Sequence, residues 1–238
     1  MKFLFLTMIL MVGSFANAQQ KIISDPNAEI RDVEAFSGIK VSGGIDVYLS
    51  QSDGYALAVS ASEAKYRDNI RTEVKNGVLL IGYDAGSSKW LRGDKKLRVY
   101  ISFHSINSIE ASGACGIKID ETLQSSSLLL KLSGACDIEG EIKVEDMIMD
   151  LSGASTVKLN GAIGNLKVSS SGASDIKSYD LVVDNLIANI SGASDVKVTI
   201  NNSLSAKASG ASSLRYRGNP AKQDVAVSGA SSVSQRNN

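Results

Sequence analysis

Residues 191–198 read SGASDVKV, and near copies surround them: SGASTVKL at 152–159, SGASDIKS at 171–178 and SGASSLRY at 209–216. Ser-Gly-Ala itself starts at Ser112, Ser133, Ser152, Ser171, Ser191, Ser209 and Ser228, at intervals of 21, 19, 19, 20, 18 and 19 residues. A related Ser-Gly-Gly stands at Ser42. A period near twenty, held through the second half of the chain, marks a solenoid. In such a fold each repeat buries its apolar face by stacking on its neighbours.

Count each Ser as position zero. Positions −5, −3 and −1 are mostly apolar, as in Leu128, Leu130, Leu132 and Met147, Met149, Leu151. Position +5 and often +7 are apolar too, as in Val157, Leu159 and Val196, Val198. Alternation with period two predicts strands with one buried face. Each repeat is therefore read as two short strands, joined at Ser-Gly-Ala and at a second, variable turn such as EGEIKVED. Nineteen residues at ~3.3 Å each make a loop of roughly 60 Å, enough for one coil around a narrow aliphatic core. Coils then pair in parallel at ~4.8 Å, and equivalent residues form columns along the axis. The expected fold is all-β: a parallel β-helix-like solenoid with repeats of about nineteen residues.

The glycine at +1 suits a corner that needs positive φ or close backbone approach. Gly113, Gly134, Gly153, Gly172, Gly192, Gly210 and Gly229 are thus structural turn residues. Serine and alanine beside them keep the corner thin, and serine hydroxyls can bond one another or nearby backbone. A catalytic role for the repeated serine is rejected, because no histidine accompanies it and a nucleophile is not needed seven times.

Residues 1–18 read as a signal peptide. Lys2 supplies the positive charge, Phe3 to Val12 the apolar stretch, and Ala16-Asn17-Ala18 the cleavage site. That apolar run is shorter than the ~20 residues that span a bilayer. No cysteine near the cleavage site offers a lipid anchor, and no later segment is long enough to cross a membrane. The protein is expected to be exported, to the periplasm or to the cell surface and beyond. An N-terminal segment covers 19–36, and a β-rich block, 37–110, forms part of the solenoid or its cap. The repeats occupy 111–238. Within 37–110, EAKYRDNI suggests a helical turn, Asn76-Gly77 a tight hairpin, and DAGSSKWLRGDKK a loop carrying Trp90. At the far end, Pro220 and a polar tail would discourage edge pairing. The 25 basic and 25 acidic residues balance, and aromatics make up only 5%, so no nucleic-acid footprint appears.

FSGIKVSGGIDVYLSQ, NGVLLIGY, the SGASD series and the closing YRGNP…VSGASSV together resemble the putative auto-transporter adhesin, head GIN domain family. The resemblance runs over about residues 34–236. It implies an exported protein with a right-handed parallel β-helix-like fold and an adhesin-like role. A self-exporting autotransporter would need a translocator barrel after the repeats, and the sequence stops at Asn238. Self-export is therefore not expected.

Two candidate sites stand out. Position +6 reads Lys158, Lys177, Lys197 and Arg215 in consecutive repeats, a basic stripe that could track an anionic polysaccharide or a lipid phosphate. On the same face at +4 stand Asp137, Asp175 and Asp195, so a solvated mixed-charge face is the competing reading. Those aspartates are expected to cap their own turns rather than to bind calcium. Cys115 and Cys136 share position +3 in adjacent repeats, within disulfide reach if the coils stack. A disulfide, two buried thiols, and a metal or redox site remain open for them. His104 is expected to be structural or exposed. Glu139, Glu141, Glu145 and Asp146 sit in one turn without histidine, which favours a solvated turn over a polysaccharide-cleaving centre. No cofactor and no metal are expected, and the chain is read as non-enzymatic. Its partner is open between a polysaccharide, another cell-envelope component and further copies of the same chain.

Overall fold

The computed structural model describes residues 25–84 and 94–236. The expected signal peptide, 1–18, and Trp90 lie outside the described residues. In chain order the elements are β1 (Glu29–Arg31), β2 (Gly38–Ser42), β3 (Asp46–Gln51), β4 (Ala56–Ser60), the single-turn α1 (Ala64–Arg67), β5 (Ile70–Lys75) and β6 (Val78–Tyr83). Next come β7 (Arg98–Phe103), β8 (Ser108–Gly113), β9 (Gly116–Ile119), β10 (Leu123–Gly134), β11 (Asp137–Leu151) and β12 (Thr156–Ser170). The last are β13 (Asp175–Ile190), β14 (Asp195–Ala208), β15 (Ser213–Arg217), β16 (Lys222–Val227) and β17 (Ser232–Gln235).

Residues of like repeat position pair in parallel from coil to coil. Leu128 faces Met147, then Leu166, Leu186, Leu204 and Gln223, one from each of β10, β11, β12, β13, β14 and β16. Apolar members of the inward columns are fully buried, among them Leu130, Met149, Val168 and Ala188. Each large aliphatic side chain buried in this way contributes about 2 kcal/mol. The alternation seen in the sequence is therefore the inside and outside of a coil wall.

The expected pair of short strands per repeat is corrected. β11, β12 and β13 run unbroken through the second turn, for 15, 15 and 16 residues. Parallel stacking keeps each backbone group bonded to the next coil even where the chain bends, so the ladder need not stop there. Gly140 and Gly161, at φ 144° and 111°, take up part of that bend.

At the Ser-Gly-Ala corner the ladder also continues. The Ala154 N–H donates to the Gly134 carbonyl, the Ala173 N–H to Gly153 and the Ala193 N–H to Gly172, all at 2.7 Å. The corner glycines lie between φ 72° and 89°. Position +3 points inward: Cys115, Cys136, Ser155, Ser174, Ser194 and Ser212 are all buried. Such hydroxyls need acceptors. Ser194 and Ser212 donate to the carbonyl three residues back, at 3.0 and 2.8 Å.

Spatial order departs from chain order in the first half. β2 lies between β6 and β8, and β3 between β7 and β9, all in parallel. Ser42 pairs with Ser112, so the lone Ser-Gly-Gly is a corner of the same stack. β5 and β6 form the expected hairpin, with Asn76 and Gly77 at φ 52° and 75°. β4 runs antiparallel to β7, and β1 antiparallel to β4, closing that end of the solenoid.

Candidate functional site

One outer face carries positions +4, +6 and +8. At +6 the column runs Tyr100, Tyr48, Lys118, Glu139 and Lys158 on β7, β3, β9, β11 and β12. It resumes as Lys177, Lys197, Arg215 and Ser234 on β13, β14, β15 and β17. The expected stripe of Lys158, Lys177, Lys197 and Arg215 thus lies on one face, but its charge is largely answered. The Lys177 ammonium is 2.8 Å from Asp175, Lys197 is 2.9 Å from Asp195, and Arg215 is 3.1 Å from the same Asp195 carboxylate. Asp195 also accepts from the Ser213 hydroxyl at 2.7 Å. Burial alone would raise Asp195, yet the Ser213 and Lys197 hydrogen bonds and the Arg215 charge hold it below the usual carboxylate range. Asp175 and Asp195 form ion pairs in place of the turn caps the sequence suggested. Asp175 and Asp195 reach along the face to cations two residues on, because strand geometry puts i and i+2 side by side. Lys158 ion-pairs with nothing among the described residues, since position +4 of its repeat is Thr156.

At the capped end the column becomes aromatic. The Tyr48 and Tyr100 rings stack with centroids 5.0 Å apart. The Tyr100 hydroxyl donates to Asp25 at 2.9 Å. Burial, with that bond, pushes the Tyr100 phenol up to about 12.

The sequence reading missed position +8. There the opposite end carries Tyr179, Arg217 and Arg236. The Arg217 guanidinium lies 4.5 Å from the Tyr179 ring centroid and that of Arg236 lies 5.4 Å from it. The only signal for this cluster was repeat arithmetic: each residue stands eight places after its Ser, two beyond the stripe.

Cys115 and Cys136 stand as free, buried thiols. Their S–H groups point to Ser112 and Ser133 carbonyls, both at 3.3 Å, so the two side chains take the same pose on adjacent coils. The neighbouring Cys115 and burial together push the Cys136 thiol up, because a thiolate there would be left in a buried place. Among the described residues no group of three or more His, Cys, Asp and Glu is placed to hold a metal. His104 is exposed just after β7. Glu139, Glu141, Glu145 and Asp146 are exposed along β11, where Glu141 accepts from Thr122 and Asp146 from Asn165.

Beside the Ser-Gly-Ala corner runs a shallow groove of about 600 Å³. Lys40, Glu110, Lys131 and Asp150 line it with alternating charge, together with Ser133 and Ser152. Lys40 and Glu110 pair at 3.3 Å.

The family model described as "Putative auto-transporter adhesin, head GIN domain" matches residues 35–220. The chain belongs to that family. A solved structure with a TM-score of 0.79 is that of a putative adhesin from Bacteroides fragilis; it is 22% identical over 88% of this chain and 96% of that one. A putative lipid binding protein from Parabacteroides distasonis is 17% identical over 90% and 98%, with a TM-score of 0.68. A putative adhesin from Parabacteroides merdae is 18% identical over 88% and 95%, with a TM-score of 0.63. At such identities these likenesses show a shared fold. No curated protein matches. No helix among the described residues is long and apolar enough to cross a membrane.

Proposed function

We propose that this head GIN domain protein is an exported, non-enzymatic binding protein of the cell envelope or surface. It holds an extended polymer, such as a polysaccharide, along its long axis. The observation that carries this reading is the outer face itself. Polar and charged groups recur there in register from β7 to β12 and again from β13 to β17, at the ~4.8 Å strand spacing. A ligand built of repeated units can meet the same chemistry at each step, and many weak contacts then add. The adhesin character of the family supports the reading, as does the N-terminal stretch 1–18 with its features of an export signal. Lys158, Lys177, Lys197 and Arg215 belong to the proposed surface as polar contacts within a mixed-charge face. The experiment applies the mature protein to a glycan array and to whole bacterial envelopes, with and without calcium. Selective retention without turnover is the expected result. Cleavage of a polysaccharide, or no retention anywhere, would sink the proposal.

A further inference from the structure

Two arginines at the end of the outer face lack the carboxylates that neutralise its middle. The Arg217 and Arg236 side chains make no ion pair and no hydrogen bond among the described residues. The carboxylate at +4 nearest to them, Asp195, already holds Lys197 and Arg215. Asp180, next to Tyr179 in sequence, pairs with neither guanidinium. Both guanidiniums nevertheless gather over a single ring, that of Tyr179. Two like charges held this close repel unless an anion joins them. Two donors in the cluster are also buried without a partner: the Tyr179 hydroxyl and the Arg217 Nε–H. A buried donor left unmade is costly, so an acceptor from beyond the described residues that moved in between the three side chains would meet both.

We propose that Tyr179, Arg217 and Arg236 form a binding site for an oxyanion group, the carboxylate or sulfate of an acidic glycan. The Arg217 fork presents parallel N–H groups suited to two oxygens of one such group. Arg236 adds the second charge, and the Tyr179 hydroxyl donates a further bond. A sugar ring is favoured over a membrane by what surrounds the cluster. Of the large exposed apolar side chains among the described residues, only Val182 pairs into this column, against Thr199, and one such residue makes no apolar rim for lipid insertion. The column at +8 begins acidic, with Asp120 and Glu141, and ends basic with Arg217 and Arg236. A bound chain is therefore oriented, its acidic group at the β15–β17 end. This inference rests on the polymer-binding reading and adds to it the charge of the ligand and the place where it is held.

The test measures binding of oligogalacturonate, a sulfated dextran oligomer and neutral dextran to the mature chain at physiological salt. Three variants are compared with it: the double variant R217Q/R236Q, Tyr179→Phe, and the control K167Q/K207Q, which removes the same charge from exposed lysines of β12 and β14 that lie outside the proposed binding face. Thermal melts confirm that each is folded. The expected result is binding of one or both acidic oligomers, lowered about tenfold or more in R217Q/R236Q. Tyr179→Phe should weaken it about threefold, and the control should change it little. Equal loss in the control and in R217Q/R236Q would reduce the site to general charge and overturn the inference. So would retention by anionic phosphatidylglycerol vesicles in place of both acidic oligomers. Neutral dextran bound as well as the acidic oligomers would also overturn the oxyanion site while leaving the polymer-binding reading intact.

Discussion

A methyl group on Gly172 is a small change aimed at a tight place in the stack. The residue sits at φ 86°, and an added Cβ would lie 2.5 Å from the Gly153 carbonyl oxygen. That oxygen accepts the Ala173 N–H at 2.7 Å and cannot retreat without opening the ladder. Gly172→Ala is expected to destabilise the protein by about 2 kcal/mol or more, read as a fall in the urea midpoint. Gly54 has no atom within 4 Å of its would-be Cβ and no positive φ, so Gly54→Ala should leave the midpoint almost unchanged. The reason for glycine at these corners was readable from the repeat. The role of serine at +3 was not. Serine is a polar residue that sequence reading places outside, and only the corner geometry shows its hydroxyl turned inward and satisfied by the carbonyl three residues back.

Along a strand, residues two apart share a face, and this decides the electrostatics of β13, β14 and β15. Asp195 is held below its ordinary value of 3.8 despite partial burial. A carboxylate whose folded pKa is depressed stabilises the fold above its unfolded pKa, and loses that contribution as pH falls through the folded value. Asp195→Asn should therefore cost about 0.5–1 kcal/mol at neutral pH. Thermal melts of the variant and the parent protein should converge as pH drops below about 4. A gap that persisted in acid would show that packing, not charge, is what Asn disturbs. The sequence showed that Asp and Lys share this face. It did not show which cations remain unanswered, because Arg217 and Arg236 meet Tyr179 only across coils whose register shifts inside β13, between Ser178 and Val182.

The two ends of the whole molecule differ. At one, β4 and β1 cross antiparallel over the outermost parallel coil and pair its edge. At the other, every residue of β16 is exposed, and Val225 and Val227, which continue the inward columns of Ala206 and Ala208, are 42% and 54% exposed. In a stacked array stability comes from contact with neighbours on both sides, so terminal coils open first. Hydrogen exchange should show strongest protection in β11, β12 and β13 and weakest in β16 and β17. Uniform protection across all coils would mean that the array unfolds as a single cooperative unit.

The sequence by itself determined the coil: its period, its inward columns, its corner glycines, the helical turn and the Asn76-Gly77 hairpin. These depend on local conformation and on a repeat that any one coil already contains. Tertiary structure alone decided the order in which coils lie, since β2 and β3 enter between coils that follow them in the chain. It also decided where the ladder runs unbroken and which charges are matched. Those outcomes arise from pairing between residues tens of positions apart, where the energy of a site depends on what the neighbouring coil brings to it.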